Sequence, residues 1–158
     1  MSIWSLPGFI LTALSTLFVL VILASPNWIN IHEGYLGLWV FCNTRGCASV
    51  ADIGYGGYFA VRAFILIAFF FWVAALILLA MALWYNTALP SINKMKHAAN
   101  LGISAAVLTF LGMAIFTGTF SSASYGWAFG LGWFAALLSI AAAVVVMIDF
   151  KTEPQSLS

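Results

Sequence analysis

Four stretches of this chain are long enough, and nearly enough free of charge, to cross a lipid bilayer. No other feature limits the fold as tightly. A hydrocarbon core of about 30 Å takes roughly 20 apolar residues of helix. The stretches that qualify run over about residues 8–25, 59–84, 100–120 and 126–148. Lipid offers the backbone no hydrogen-bond partners, so each must be a helix. The runs are continuously apolar and do not alternate, which excludes a transmembrane barrel. Composition agrees. The chain is 65% hydrophobic and 6% charged, whereas soluble domains carry about 25% charged residues. A soluble globule and a disordered chain are thereby excluded. So is a nucleic-acid binder, because a net charge of +1 provides no basic face. By length, residues 1–158 make one domain. The first stretch is expected to be retained. No Lys or Arg precedes it, and Leu23-Ala24-Ser25-Pro26 is a poor cleavage site.

Lys94 and Lys96 lie between spans two and three, and Lys151 follows span four. Four spans put all three on the side of the N-terminus, against Arg45 and Arg62 on the other. The positive-inside rule then makes both termini cytosolic and the loop over residues 26–58 extracellular. The two cysteines, Cys42 and Cys47, fall in that loop. An oxidising compartment favours a disulfide there. The spacing is not a redox CxxC, and no second pair completes a zinc site.

Within the loop, Tyr35 to Cys42 is rich in aromatic and β-branched residues. Asn43-Thr44-Arg45-Gly46 reads as a turn, and Cys47 to Val50 as a returning strand. The pattern predicts a hairpin clamped by its cysteines, with Gly54 to Tyr58 as a flexible lead into span two. A lone hairpin is marginal in water, so this one is expected to lean on the bundle. Trp28 fits equally as an anchor for that contact or as an interfacial belt residue. Trp39, inside the expected strand, is favoured as an anchor.

The pattern Trp28, then Gly37-Leu38-Trp39-Val40-Phe41-Cys42, then Cys47 resembles the claudin and peripheral-myelin-protein superfamily. That superfamily includes epithelial membrane proteins, the lens fibre tetraspan and calcium-channel gamma subunits. Arg62 matches an arginine at the start of the family's second span, and Tyr125-Gly126-Trp127 an aromatic-Gly-Trp stretch near its fourth. The resemblance covers the whole four-span layout. It implies an all-α membrane protein: a left-handed four-helix transmembrane bundle capped by a small antiparallel β-sheet from the first extracellular loop. It also implies that Arg62 bonds loop carbonyls and fixes sheet to bundle, against the plainer reading that it snorkels to the interface. The close cysteine spacing is nearer the lens fibre and epithelial membrane branch than typical claudins. The second outer loop, Thr119 to Ser124, is nearly absent, and the tail Gln155-Ser156-Leu157-Ser158 lacks a hydrophobic end. These departures remove parts that claudins use for cell contacts and scaffold binding.

Small residues drive helix association in lipid. Gly112 in span three, and Gly126 with Gly130 at GxxxG spacing in span four, are the candidate packing positions. Internal packing is favoured over a homodimer seam. Ser15, Thr16, Thr109, Thr117 and Ser139 can each bond their own helix. Arg62 and Asp149 are expected near opposite interfaces, with no charge deep in a span to mark a transport path. No catalytic, cofactor-binding or metal-binding residues are assigned. His32 and Glu33 would point to opposite faces of a strand, and only Asp52 folded close would add to them. His97, beside Lys96, is read as solvated. The expected protein is not an enzyme. It is a plasma-membrane, multi-pass tetraspan whose partners are lipids and other membrane proteins, either itself or a channel or receptor. It would act in cell–cell contact, membrane organisation or barrier formation through the first loop. The second reading is an accessory subunit packed laterally on a channel or receptor. One arginine against Glu33 and Asp52 leaves the loop without strong ion selectivity.

Overall fold

The computed structural model describes residues 2–50, 56–85, 87 and 91–152. Asp52, Gly54 and Tyr55 of the expected lead, Glu153 and the tail over 155–158 lie outside them; Gly56, Gly57 and Tyr58, also expected in that flexible lead, are instead the start of a helix. Four helices carry the chain: α1 (Ser5–Ala24), α2 (Gly56–Trp84), α3 (Lys94–Thr119) and α4 (Trp127–Thr152). All four are long and apolar enough to cross a membrane. Helix α3 begins at Lys94, well before the apolar run starts near residue 100. The Asn93 side chain accepts the Lys96 backbone N–H at 3.1 Å, so a polar N-cap sets the boundary where hydropathy does not.

Helix α1 packs beside α2 and α4, and α3 beside α2 and α4, so the helices form a ring in chain order. Each buries one stripe at three- and four-residue steps. On α2 that stripe runs through Tyr58, Val61, Arg62, Ile65, Ala68, Trp72, Ala75 and Leu79. On α4 it is mostly alanine and glycine and ends at Asp149. Trp72 is therefore interior, while Phe70, in the same aromatic run, faces outward.

The glycines divide differently from the GxxxG reading. Gly112 faces α2, where an added Cβ would lie 2.8 Å from the Ile65 Cδ1. Gly126 precedes α4 and meets a loop, not a helix. Gly130 lies off the buried stripe and has open space around its Cα. The close α3–α4 contacts are made instead by Gly132, set against Met113, and by Gly102 near Ala143. Thr16, Thr109 and Thr117 donate to carbonyls one turn back, each at 2.8 Å. The buried hydroxyls of Ser15 and Ser139 do not make that bond.

Five short strands form the cap: β1 (Ile29–Ile31), β2 (Gly34–Leu36), β3 (Val40–Asn43), β4 (Gly46–Ser49) and β5 (Ser124–Tyr125). All pairings are antiparallel, in the order β4-β3-β2-β1-β5. The expected hairpin exists as β3–β4, with Cys42 directly opposite Cys47. The long strand expected over Tyr35 to Cys42 does not. It breaks at Gly37-Leu38-Trp39, which turns β2 back on β3. His32 and Glu33 form the β1–β2 turn rather than a strand, with Glu33 at φ 66°. The short α3–α4 link supplies β5, so it is part of the cap despite its length.

Candidate functional site

The site is the junction where the sheet sits on the bundle. Its logic begins at the end of α1. The last carbonyls of a helix have no intrahelical partner. Here Pro26 has no N–H to give the Ile22 carbonyl, and the Asn27 N–H turns to the Ser25 hydroxyl at 3.3 Å. Two indoles take those places. Trp28 Nε1 donates to the Ile22 carbonyl and Trp39 Nε1 to the Leu23 carbonyl, each at 2.9 Å. Trp28 is wholly buried, so anchor replaces belt. Trp39 is 41% exposed: it anchors through its N–H while part of its ring stays uncovered. The buried apolar anchor at this turn is its neighbour Leu38, at 0%.

The Gly37-Leu38-Trp39 turn also points backbone carbonyls at α2. The Tyr58 hydroxyl donates to the Gly37 carbonyl. Arg62 Nε donates to the Leu38 carbonyl at 2.5 Å, and its Nη2 to the Val50 carbonyl at 3.2 Å. The guanidinium carbon lies 4.6 Å from the Tyr58 ring centroid and 5.2 Å from that of Trp39. Arg62 is 8% exposed. It sits inward among aromatic faces, which favour a cation, with carbonyls fixing its fork. It does not reach out to an interface. Gly37 is required by close approach: a Cβ there would lie 2.5 Å from the Pro26 Cα.

The second link locks the other edge. The Gly126 N–H donates to the Trp28 carbonyl at 2.9 Å, and the Ala128 N–H to the Asn27 carbonyl at 3.1 Å. A Cβ on Gly126 would fall 1.9 Å from the Asn27 Oδ1. This contact, rather than helix crossing, explains the glycine. Tyr125 stacks on Phe129 at 3.8 Å and donates its hydroxyl to the Phe120 carbonyl at 2.8 Å. At the far edge, the Cys42–Cys47 disulfide joins the β3–β4 hairpin, and the Asn43 side chain accepts the Arg45 N–H at 2.9 Å inside the turn.

The structure thus gathers Trp28, Gly37, Leu38, Trp39 and Arg62 into one clasp. Cys42 and Cys47 lie farther out along the sheet, and Gly112 and Gly130 lie elsewhere. Sequence reasoning missed Tyr58, although it precedes Arg62 by one helical turn and so shares its face. It also missed Asn27. At the opposite end of the bundle, Asp149 is 1% exposed and accepts the Ser5 hydroxyl at 2.9 Å. It lies near the end of its span, opposite Arg62, and faces inward on the buried stripe of α4. Lys94 is buried at that end as well. His97 is exposed on the first turn of α3. Among the described residues, no three His, Cys, Asp or Glu side chains gather to hold a metal ion.

Four apolar helices under a disulfide-stapled sheet, with an arginine clasped beneath a Gly-Leu-Trp turn, make a tetraspan whose layout fits the resemblance to the claudin and peripheral-myelin-protein superfamily. The chain is similar to the lens fiber membrane intrinsic protein of Homo sapiens, a homologue 24% identical over 151 residues. The alignment covers 87% of this chain and 86% of that protein. No family model matches the chain. Fold and homologue together make this a multi-pass membrane protein.

Proposed function

We propose that this is a non-enzymatic claudin-like tetraspan of the plasma membrane, acting in cell–cell contact, membrane organisation or barrier formation through its first loop. Both termini are cytosolic in this reading and the sheet is extracellular. The lysine balance and the disulfide support that orientation. One observation carries the role. The clasp holds the sheet in a set orientation, and β4 stands at its edge with all four residues exposed. A fixed sheet with an open edge is a ready surface for a partner. The other partners are membrane lipids. Expressed in cells that lack contacts of their own, the protein should make them cluster or assemble into arrays at apposed membranes. Arg62→Ala, which frees the sheet, should abolish that. Dispersed cells bearing normal surface levels of the wild-type protein would refute the reading.

A second reading, an accessory subunit packed laterally on a channel or receptor, draws on α2. Phe59, Ile67, Phe70, Ile77 and Trp84 are all exposed along it. Gentle purification separates the two readings, because a stoichiometric channel or receptor that co-migrates favours the second.

A further inference from the structure

The outer face between α3 and α4 holds a groove of about 500 Å³. Its walls are apolar, among them Val107 and Phe110 from α3 and Ile140, Val144 and Ile148 from α4. Among the described residues, one polar side chain lines it, Lys151, at one end. From Ile140 to Lys151 the groove runs about 16 Å along α4 at 1.5 Å per residue, near half of a roughly 30 Å hydrocarbon core. Phe110 meets Trp133 edge-to-face at 5.6 Å, and that pair bounds the other end. A docked transmembrane helix would need a face running the whole span. The groove covers only about half of one.

The lysine end carries a second cation. Lys96 is exposed and lies two turns before Ile103, another wall residue, on the same side of α3. Asp149, two residues before Lys151, turns inward to Ser5; Glu153, two residues after it, lies outside the described residues. By helix register, Lys96 and Lys151 therefore stand at the same end of this half-span apolar slot. We propose that this slot binds one acyl chain of an anionic phospholipid, with the phosphate headgroup between Lys96 and Lys151. The site requires only that the four helices span a bilayer, and it is independent of the contact role.

The test uses the full chain in nanodiscs of equal phosphatidylglycerol and phosphatidylcholine, with retained lipid counted by native mass spectrometry. The wild type should hold one phosphatidylglycerol in preference to phosphatidylcholine. Lys96→Gln and Lys151→Gln should each cut that preference about fivefold, since a lysine near an anionic headgroup is worth about that factor. Val144→Trp fills the slot and should remove the retained lipid altogether. Val107→Phe fills it from the facing helix and serves if the first variant misfolds. Leu17→Trp, on the exposed face of α1, should change nothing. Equal retention of both lipids by the wild type would overturn the site. So would a preference that survives both groove fillers, or a protein dimer that Val144→Trp dissolves, since a second copy would then be the occupant.

Discussion

The sheet end of the bundle and its lysine end solve the same problem by different chemistry. At the sheet end the chain leaves the helices, turns several times and returns, so many carbonyls lose their helical partners. Directional donors meet them: Trp28 and Trp39 on α1, Tyr58 and Arg62 on the Gly37 turn, and the Gly126 N–H on the Trp28 carbonyl. At the lysine end the contacts among the described residues are of another kind. A small apolar cluster of Leu79, Met95, Ala98, Ala99 and Val146 packs there beside one Ser5–Asp149 bond. A buried polar group without a partner is costly. Specificity therefore concentrates where the backbone is irregular, and substitutions should be punished unequally along the bundle.

The largest effect is expected at Arg62. Arg62→Ala leaves the Leu38 and Val50 carbonyls bare, and bonds from a charged donor are worth about 1.5–3 kcal/mol each. Unfolding in mixed micelles should register a loss of about 4 kcal/mol, partly restored by Arg62→Lys. A loss below about 1 kcal/mol would mean that the clasp does not hold the sheet. Next comes Gly126→Ala, whose Cβ has no room beside Asn27. Overpacking of this kind costs about 1–3 kcal/mol, and the sheet should become sensitive to protease. Cys42→Ser opens a short loop worth about 2 kcal/mol. It should lower surface delivery, and the wild type should run faster than its reduced form on a non-reducing gel.

At the lysine end the penalties shrink. Ser5→Ala removes a single bond to a buried carboxylate, with an expected cost of about 2 kcal/mol by the same unfolding assay. An effect as large as that of Arg62→Ala would erase the contrast between the two ends. The smallest change is reserved for Gly130→Ala, where open space surrounds the Cα. It should stay within about 0.5 kcal/mol. Paired with Gly126→Ala, it separates loop contact from helix crossing as the reason for the Gly126-to-Gly130 spacing.

Much of this was legible in the chain, though unevenly. The spans are local properties of hydropathy, and the β3–β4 turn is written in Asn43 to Gly46. The strand drawn through Tyr35 to Cys42 failed because aromatic content says nothing about where a chain reverses. That reversal is decided by Leu38 dropping into the core and by α2 receiving the Gly37 and Leu38 carbonyls. Asp149 stands near the end of its span, as its place in the chain implies; that it faces inward follows from its register on the buried α4 stripe.

Membrane residence, four crossings and a candidate cysteine staple follow from the amino-acid order alone, since each depends on residues within a few turns of one another. The clasp, the fifth strand contributed by the α3–α4 link and the true office of Gly126 do not. Each depends on which donor finds which orphaned carbonyl, and those partners lie up to a hundred residues apart. Only the packed bundle brings Asn27 to Gly126, or Ser5 to Asp149.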